Sequence, residues 1–216
     1  MPIITIHTAK PGQGATVTAA ALATLCATTG QRTLLIDAAT GDLPAVLGIP
    51  EPDRPGLAEY LTDLHAPSLD TIAVHVTDRL DLLHAGTSST SPLDLSLIPG
   101  GCDRYDTVII DAGTRCVSGC NADATLLVTR PCYLAIRRAI GAANAATGVV
   151  LINEPGRSLG ATDIEAVLGC RVNATIPYDP AIARAVDAGL LATRLPTILA
   201  RALRHVVPSL TTGRAR

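Results

Sequence analysis

Short apolar runs that alternate with helix-forming stretches restrict this chain to one broad class of fold. The runs are Ile3–Thr8, Thr33–Ala38, Leu80–Ala85, Thr107–Ala112, Ala124–Thr129, Val149–Asn153 and Arg171–Ile176. Several are apolar almost without interruption, as a strand must be when both faces of its sheet are covered. Between them lie Thr16–Thr29, Cys132–Asn144, Ala161–Leu168, Ala181–Leu191 and Thr197–Val207, which read as helices. Thr16–Thr29 is Ala-rich, and Gly30 supplies its stop. Strand alternating with helix means crossover connections and a mostly parallel, twisted sheet between two helical layers. The expected architecture is a single three-layer α/β/α domain. No linker divides it, because the polar stretch Thr87–Pro92 is too short to separate domains. The domain is expected over residues 1–208, with a flexible basic tail over 209–216.

Composition narrows the function. Hydrophobic residues make up 48% and charged residues 17%, which excludes intrinsic disorder. A net charge of −2 gives no global attraction to nucleic acid or anionic membrane. The chain has no Phe and no Trp, so Ala, Val, Leu and Ile build the core and aromatic platforms for bases are disfavoured. No apolar run approaches the ~18 residues of a membrane span, and Met1–Lys10 lacks the layout of a secretory signal. A cytoplasmic protein is expected. Cys26, Cys102, Cys116, Cys120, Cys132 and Cys170 form no C-x-x-C pair and read as free thiols. Of 17 basic residues only Lys10 is a lysine, which invites a specific role for it.

Lys10 opens the turn between the first strand and the first helix, Ala9-Lys10-Pro11-Gly12-Gln13-Gly14-Ala15-Thr16. Strand, glycine-rich loop and helix N-terminus make an anion site, since backbone N–H groups converge there and the helix dipole favours phosphate. Thr16 sits where a hydroxyl binds Mg²⁺ in a phosphate-binding loop, but Ala15 occupies the usual lysine position. A dinucleotide turn is the competing reading. Val17 follows Gly12-x-Gly14 where its third glycine belongs, while Asp37 ends the second strand where a ribose-binding acid would sit. Tyr105-Asp106-Thr107-Val108-Ile109-Ile110-Asp111 runs apolar residues into an acid at the strand end where ligands gather in open α/β sheets. A carboxylate there suits a divalent cation and a triphosphate.

In this order the motifs resemble the ParA/MinD family, with its deviant Walker A loop K-G-G-x-G-K-[ST]. Lys10, Gly12, Gly14 and Thr16 match, whereas Pro11 and Ala15 depart. A small residue in place of Ala15's lysine resembles the CpaE/TadZ branch. Asp37 to Leu43 resembles the Walker A′ segment, with Ala39 replacing the acid associated with the attacking water; Asp42 reads equally as a motif acid or a helix N-cap. Asp111 resembles the Walker B acid. The resemblance implies a P-loop domain that binds ATP and Mg²⁺ between two subunits. Pro11, Gly12, Gln13, Gly14, Ala15, Thr16 and Val17 would cradle the phosphates, and Thr16 and Asp111 would hold Mg²⁺. Lys10 would reach the partner's phosphates, with Asp37 by the γ-phosphate. Asn153, Pro177 and Asp179 would clasp the adenine, and Asp179 also reads as an N-cap before Pro180.

Arg201, Arg204, His205, Arg214 and Arg216 cluster at the C-terminus. The family resemblance offers non-specific DNA or, less readily, a membrane surface as their partner; a core-packed last helix is the favoured reading. Cys116 and Cys120 lie near where the related nitrogenase iron protein ligates its cluster, but their spacing does not match it. The implied function is a nucleotide-dependent dimeric switch in intracellular positioning, partitioning or assembly, working on a partner or cargo protein. Hydrolysis should be weak or absent, because Ala15 and Ala39 remove a charge and an acid. The alternatives are a pseudo-ATPase scaffold that dimerises without nucleotide and, last, a dinucleotide-dependent oxidoreductase.

Overall fold

The structure is a computed structural model describing residues 1–39, 41–63, 68–87, 93–115 and 117–206. In chain order the elements are β1 (Ile3–His7), α1 (Ala15–Thr28), β2 (Thr33–Asp37), α2 (Leu43–Leu47), α3 (Leu57–Thr62) and α4 (Leu69–Ile72). Next come β3 (Val74–Thr77), β4 (Leu80–Leu83), β5 (Leu93–Asp94), β6 (Thr107–Gly113), β7 (Val117–Ser118) and β8 (Ala124–Thr129). The chain continues through α5 (Tyr133–Ala143), β9 (Gly148–Asn153), α6 (Ala161–Leu168), β10 (Val172–Pro177), α7 (Pro180–Asp187) and α8 (Thr197–Leu203).

Eight of the described strands form one sheet in the order β10-β9-β8-β1-β6-β2-β4-β3. Every pairing in it is parallel except β3 with β4. From β1 the chain works outward to β2 and β4, returns to the centre at β6, and then proceeds the other way through β8, β9 and β10. The reversal lies at β1 and β6, so the loops after their C-terminal ends border the crevice where such sheets bind ligands.

Period-two alternation fills both layers. Ile4 and Ile6 of β1, Leu35 of β2, Ile109 of β6 and Val150 of β9 face a core that holds α1, Leu43 and Leu47 of α2, and Leu199 and Leu203 of α8. Leu34, Ile36, Val108 and Ile110 face the other side, with Leu57 of α3 and Leu69 of α4. Leu127, Val149 and Leu151 pack there against Ile136 of α5 and Ile164 of α6. This is the expected three-layer α/β/α arrangement. Ala19 through Ala23 are fully buried, so α1 is apolar on nearly every side. Its small side chains let sheet and helix come close, which is how a core without Phe or Trp fills its space.

Departures from expectation have local causes. The sequence gives no sign of β3: it is a four-residue edge strand, Val74 to Thr77, and none of its residues is fully buried. The helix expected over Ala181–Leu191 ends at Asp187, because Gly189 turns the backbone to φ +61. Gly189 lies against Gly48, whose φ is +76 at the end of α2, and a Cβ on Gly48 would overlap the Gly189 carbonyl. Two glycine-ended helices thus meet backbone to backbone. The boundary at residue 208, the tail 209–216, and Arg214, Arg216 and Cys116 fall outside the described residues. Among the described residues no helix is long and apolar enough to cross a membrane.

Candidate functional site

The glycine-rich loop leaves the sheet at the ends of β1 and β6. The Thr8 N–H donates to the Gly113 carbonyl at 2.7 Å, which ties the loop's first residue to the end of β6. The Thr8 hydroxyl donates to the Lys10 carbonyl at 3.1 Å and braces the half-buried Lys10. Pro11 and Gly12 are exposed, and Gln13 is buried. Gly12 and Gly14 have φ of +75 and +95, a region that side chains with a Cβ rarely occupy, so both positions need glycine. Gly14 is the N-cap of α1, and its carbonyl accepts from the Thr18 N–H at 2.9 Å and the Thr18 hydroxyl at 2.8 Å. Ala15 is the buried first residue of the helix, followed by Thr16. The first turn carries no acid, so the positive end of the dipole is not offset there.

Two carboxylates flank this loop. Asp37 ends β2, and Asp111, two residues before the end of the neighbouring β6, is its register partner. Both are essentially inaccessible to solvent. Asp37 is well satisfied: one oxygen accepts from the N–H groups of Ala39 at 3.0 Å and Gly41 at 3.3 Å, the other from Leu43 at 3.3 Å. Its carboxylate shapes the segment that follows β2. Burial raises its pKa, and those N–H donors pull it back. Asp111 differs. Its Oδ1 accepts from the Gly113 N–H at 3.0 Å, but its buried Oδ2 has no hydrogen-bond partner. Burial pushes the Asp111 carboxyl up to about 6; the Thr16 hydroxyl opposes the shift, and the Asp37 charge reinforces it.

A buried carboxylate oxygen with an unused lone pair, beside a second carboxylate and a hydroxyl, fits a hard divalent cation. Among the described residues no three His, Cys, Asp or Glu side chains converge as a metal cage. Mg²⁺ characteristically takes one or two carboxylates and completes its shell with water and phosphate oxygens. Asp42 stands at the N-cap position of α2, and its charge raises both neighbouring acids. Ala39 packs against Gly113, where an added Cβ would come within 2.8 Å of the Ala39 Cβ.

On the other side of β1 a cleft of about 260 Å³ opens beside the loop. Gly14, Val17, Ile152, Pro177 and Asp179 line it, along with Arg130 and Tyr178. It is smaller than typical pockets for drug-sized ligands, so it would take part of a nucleotide rather than the whole. Val17, Pro177 and Asp179 are therefore brought together with the loop. Asp179 also caps α7, accepting from the Ala181 N–H at 2.7 Å. Asn153 is exposed at the end of β9, where its carbonyl accepts from the Tyr178 N–H at 2.9 Å; Ile152, not Asn153, lines the cleft.

The sequence reading passed over Arg130, one residue beyond β8. Its backbone N–H donates to the Gln13 Oε1 at 3.1 Å, clipping the end of β8 to the loop. The strand-end argument that picked out Asp111 would have found it, since β8 pairs directly with β1. At the C-terminus, Leu199 and Leu203 are buried in the core while Arg201, Arg204 and His205 are exposed, so α8 packs on the domain as favoured.

Comparison with known proteins gives concordant results. The family described as cellulose biosynthesis protein BcsQ matches residues 1–96. An uncharacterised ATP-binding protein of Methanocaldococcus jannaschii is 33% identical over 205 residues, covering 82% of this chain and 74% of that protein. The septum site-determining protein MinD of Pyrococcus horikoshii, solved with Mg-ADP, superposes with a TM-score of 0.79 at 20% identity, covering 98% of this chain and 96% of that one. A ParA family ATPase of Chlorobium tepidum gives 0.74 at 22% identity, covering 94% and 95%.

Proposed function

The chain belongs to the ParA/MinD family of P-loop proteins, and on that footing we propose that it binds Mg-ATP and acts as a nucleotide-dependent dimeric switch. The observation that carries this reading is the buried, unpartnered Oδ2 of Asp111 beside Asp37 and the Thr16 hydroxyl, at the mouth of the glycine-rich loop. Thr16 and Asp111 would hold the Mg²⁺, which when bound supplies charge neutralisation to the phosphates. The N–H groups of the loop from Gly12 to Thr16 would carry the phosphate oxygens, with Pro11, which has no N–H, shaping the turn. Pro177 and Asp179 border the slot for the base. Asn153 acts through its carbonyl, which fixes the segment leading from Pro177 to Asp179.

Lys10, half-buried at the loop's start, would cross to the phosphates of a second copy. Asp37 would stand by the γ-phosphate through the segment it organises rather than as a free base, because both its oxygens already accept hydrogen bonds. Ala15 removes the charge that a lysine would supply, so hydrolysis is slow or absent. The physiological role is positioning, partitioning or assembly of a partner or cargo in the cytoplasm. Support for it comes from relatives: the Aquifex aeolicus MinD was solved in complex with MinC. The exposed Arg201 of α8 and Arg204 just beyond it are the surface to test for non-specific DNA before a membrane.

Measurement of mass in solution, with and without Mg-ATP, tests this. Dimer formation only with nucleotide is expected. A dimer of equal stability without nucleotide would instead establish the scaffold reading, which the loss of charge at Ala15 favours.

A further inference from the structure

We propose that Arg130 is the stacking platform for the base of the bound nucleotide, and that Glu154 and Arg157 are its mount; this rests on the cleft being the nucleotide site proposed above. Aromatic residues are scarce in this chain, which has four Tyr and neither Phe nor Trp. Among the described residues lining the cleft, Tyr178 is the one aromatic side chain, and it is 58% exposed. A planar base entering an apolar slot walled by Val17, Ile152 and Ile176 therefore needs its flat partner elsewhere. A guanidinium is flat, and it attracts a π face most strongly where water is excluded.

Arg130 is built to stay in place. Its backbone is held by the buried Gln13. Its Nη1 donates to the Glu154 Oε1 at 2.6 Å, and the other Glu154 oxygen accepts from Arg157, Nη2 at 2.7 Å and Nε at 2.9 Å. The side chain remains 34% exposed and lines the cleft; Nη1 is engaged by Glu154, while the buried Nε has no hydrogen-bond partner. A phosphate contact fits less well. Arg130 follows β8, whose other neighbour is β9, so it lies on the opposite side of β1 from Asp37 and Asp111. Glu154 is shared between Arg130 and Arg157, so its charge offsets that of Arg130 only in part; the hydrogen bond from Arg157 holds its carboxyl below the usual range, with Arg130 adding to the effect.

The test compares three probes on the full chain by calorimetry: adenosine, Mg-ATP and Mg-tripolyphosphate. Arg130→Met keeps the length and removes the plane. It should weaken adenosine and Mg-ATP by the same factor, about tenfold, and leave tripolyphosphate unchanged. Arg130→Lys should not rescue, because a point charge does not stack. Glu154→Gln, which loosens the mount and keeps the guanidinium, should weaken both nucleosidic probes in parallel by a smaller factor. Loss confined to Mg-ATP, rescue by lysine, or unchanged affinity for adenosine would overturn the proposal while leaving the nucleotide site intact. Failure of the unmodified chain to bind any of the three would overturn the site itself, and the proposal with it.

Discussion

Replacing Asp111 by Asn removes a charge that the ligand-free fold holds at a cost. The carboxyl is 0% exposed, and burial raises its pKa from an ordinary 3.8 to about 6. The folded state therefore binds this proton more tightly than the unfolded state does. The stabilisation is fully present below about pH 4 and is lost as pH rises through about 6. A shift of about two pKa units, at about 1.4 kcal/mol each, corresponds to about 3 kcal/mol. Asn keeps the shape of the group: its Oδ1 still accepts from Gly113, and its amide replaces the unpartnered oxygen beside Thr16 and Asp37. Without divalent cation, Asp111→Asn should be more stable than the parent by up to about 3 kcal/mol near pH 8, with the gap closing below about pH 4. Urea denaturation at several pH values, with equal slopes for both proteins, reads this directly. Added Mg-ATP should then stabilise the parent more than the variant, reversing the order. A variant less stable than the parent at high pH, or a gap that ignores pH, would refute the reasoning.

Three further outcomes are expected. Ala15→Lys restores a charged donor at the loop and should tighten Mg-ATP by about tenfold or more, as read by calorimetry; an unchanged Kd would count against the loop as the phosphate site. Lys10→Ala should abolish the nucleotide-dependent dimer in a solution mass measurement, and a dimer that persists would remove Lys10 from the interface. Gly48→Ala forces a Cβ into the Gly189 carbonyl at a φ of +76 and should lower stability by about 2–4 kcal/mol in urea denaturation; a loss under about 0.5 kcal/mol would mean the two helix ends part easily.

The central strands were legible because two-sided burial demands uninterrupted apolar runs, as in Val108 to Ile110 and Leu34 to Ile36. β3 was not, since a half-buried edge of four residues carries no comparable pattern. The end of α7 did carry a local signal, Gly189, whose left-handed backbone stops the helix at Asp187 and sets it against Gly48. At the site, the loop and both acids announced themselves by type and position. The division of labour between the acids did not. Asp37 is saturated by N–H groups and Asp111 is left with an unused oxygen, a difference that arises from backbone geometry after each strand. Asn153 was chosen by resemblance, yet Ile152 faces the cleft, as the alternation along β9 dictates. Arg130 belongs to no motif legible along the chain, and its relevance rests on β8 lying against β1.

Calorimetric titration of the full chain with Mg-ATP tests most directly whether the loop between β1 and α1 is a working nucleotide site. Saturable binding is expected, one nucleotide per chain, weakened by Asp111→Asn. No binding heat at about millimolar nucleotide, with the chain folded, would contradict it and leave the loop as architecture without a ligand.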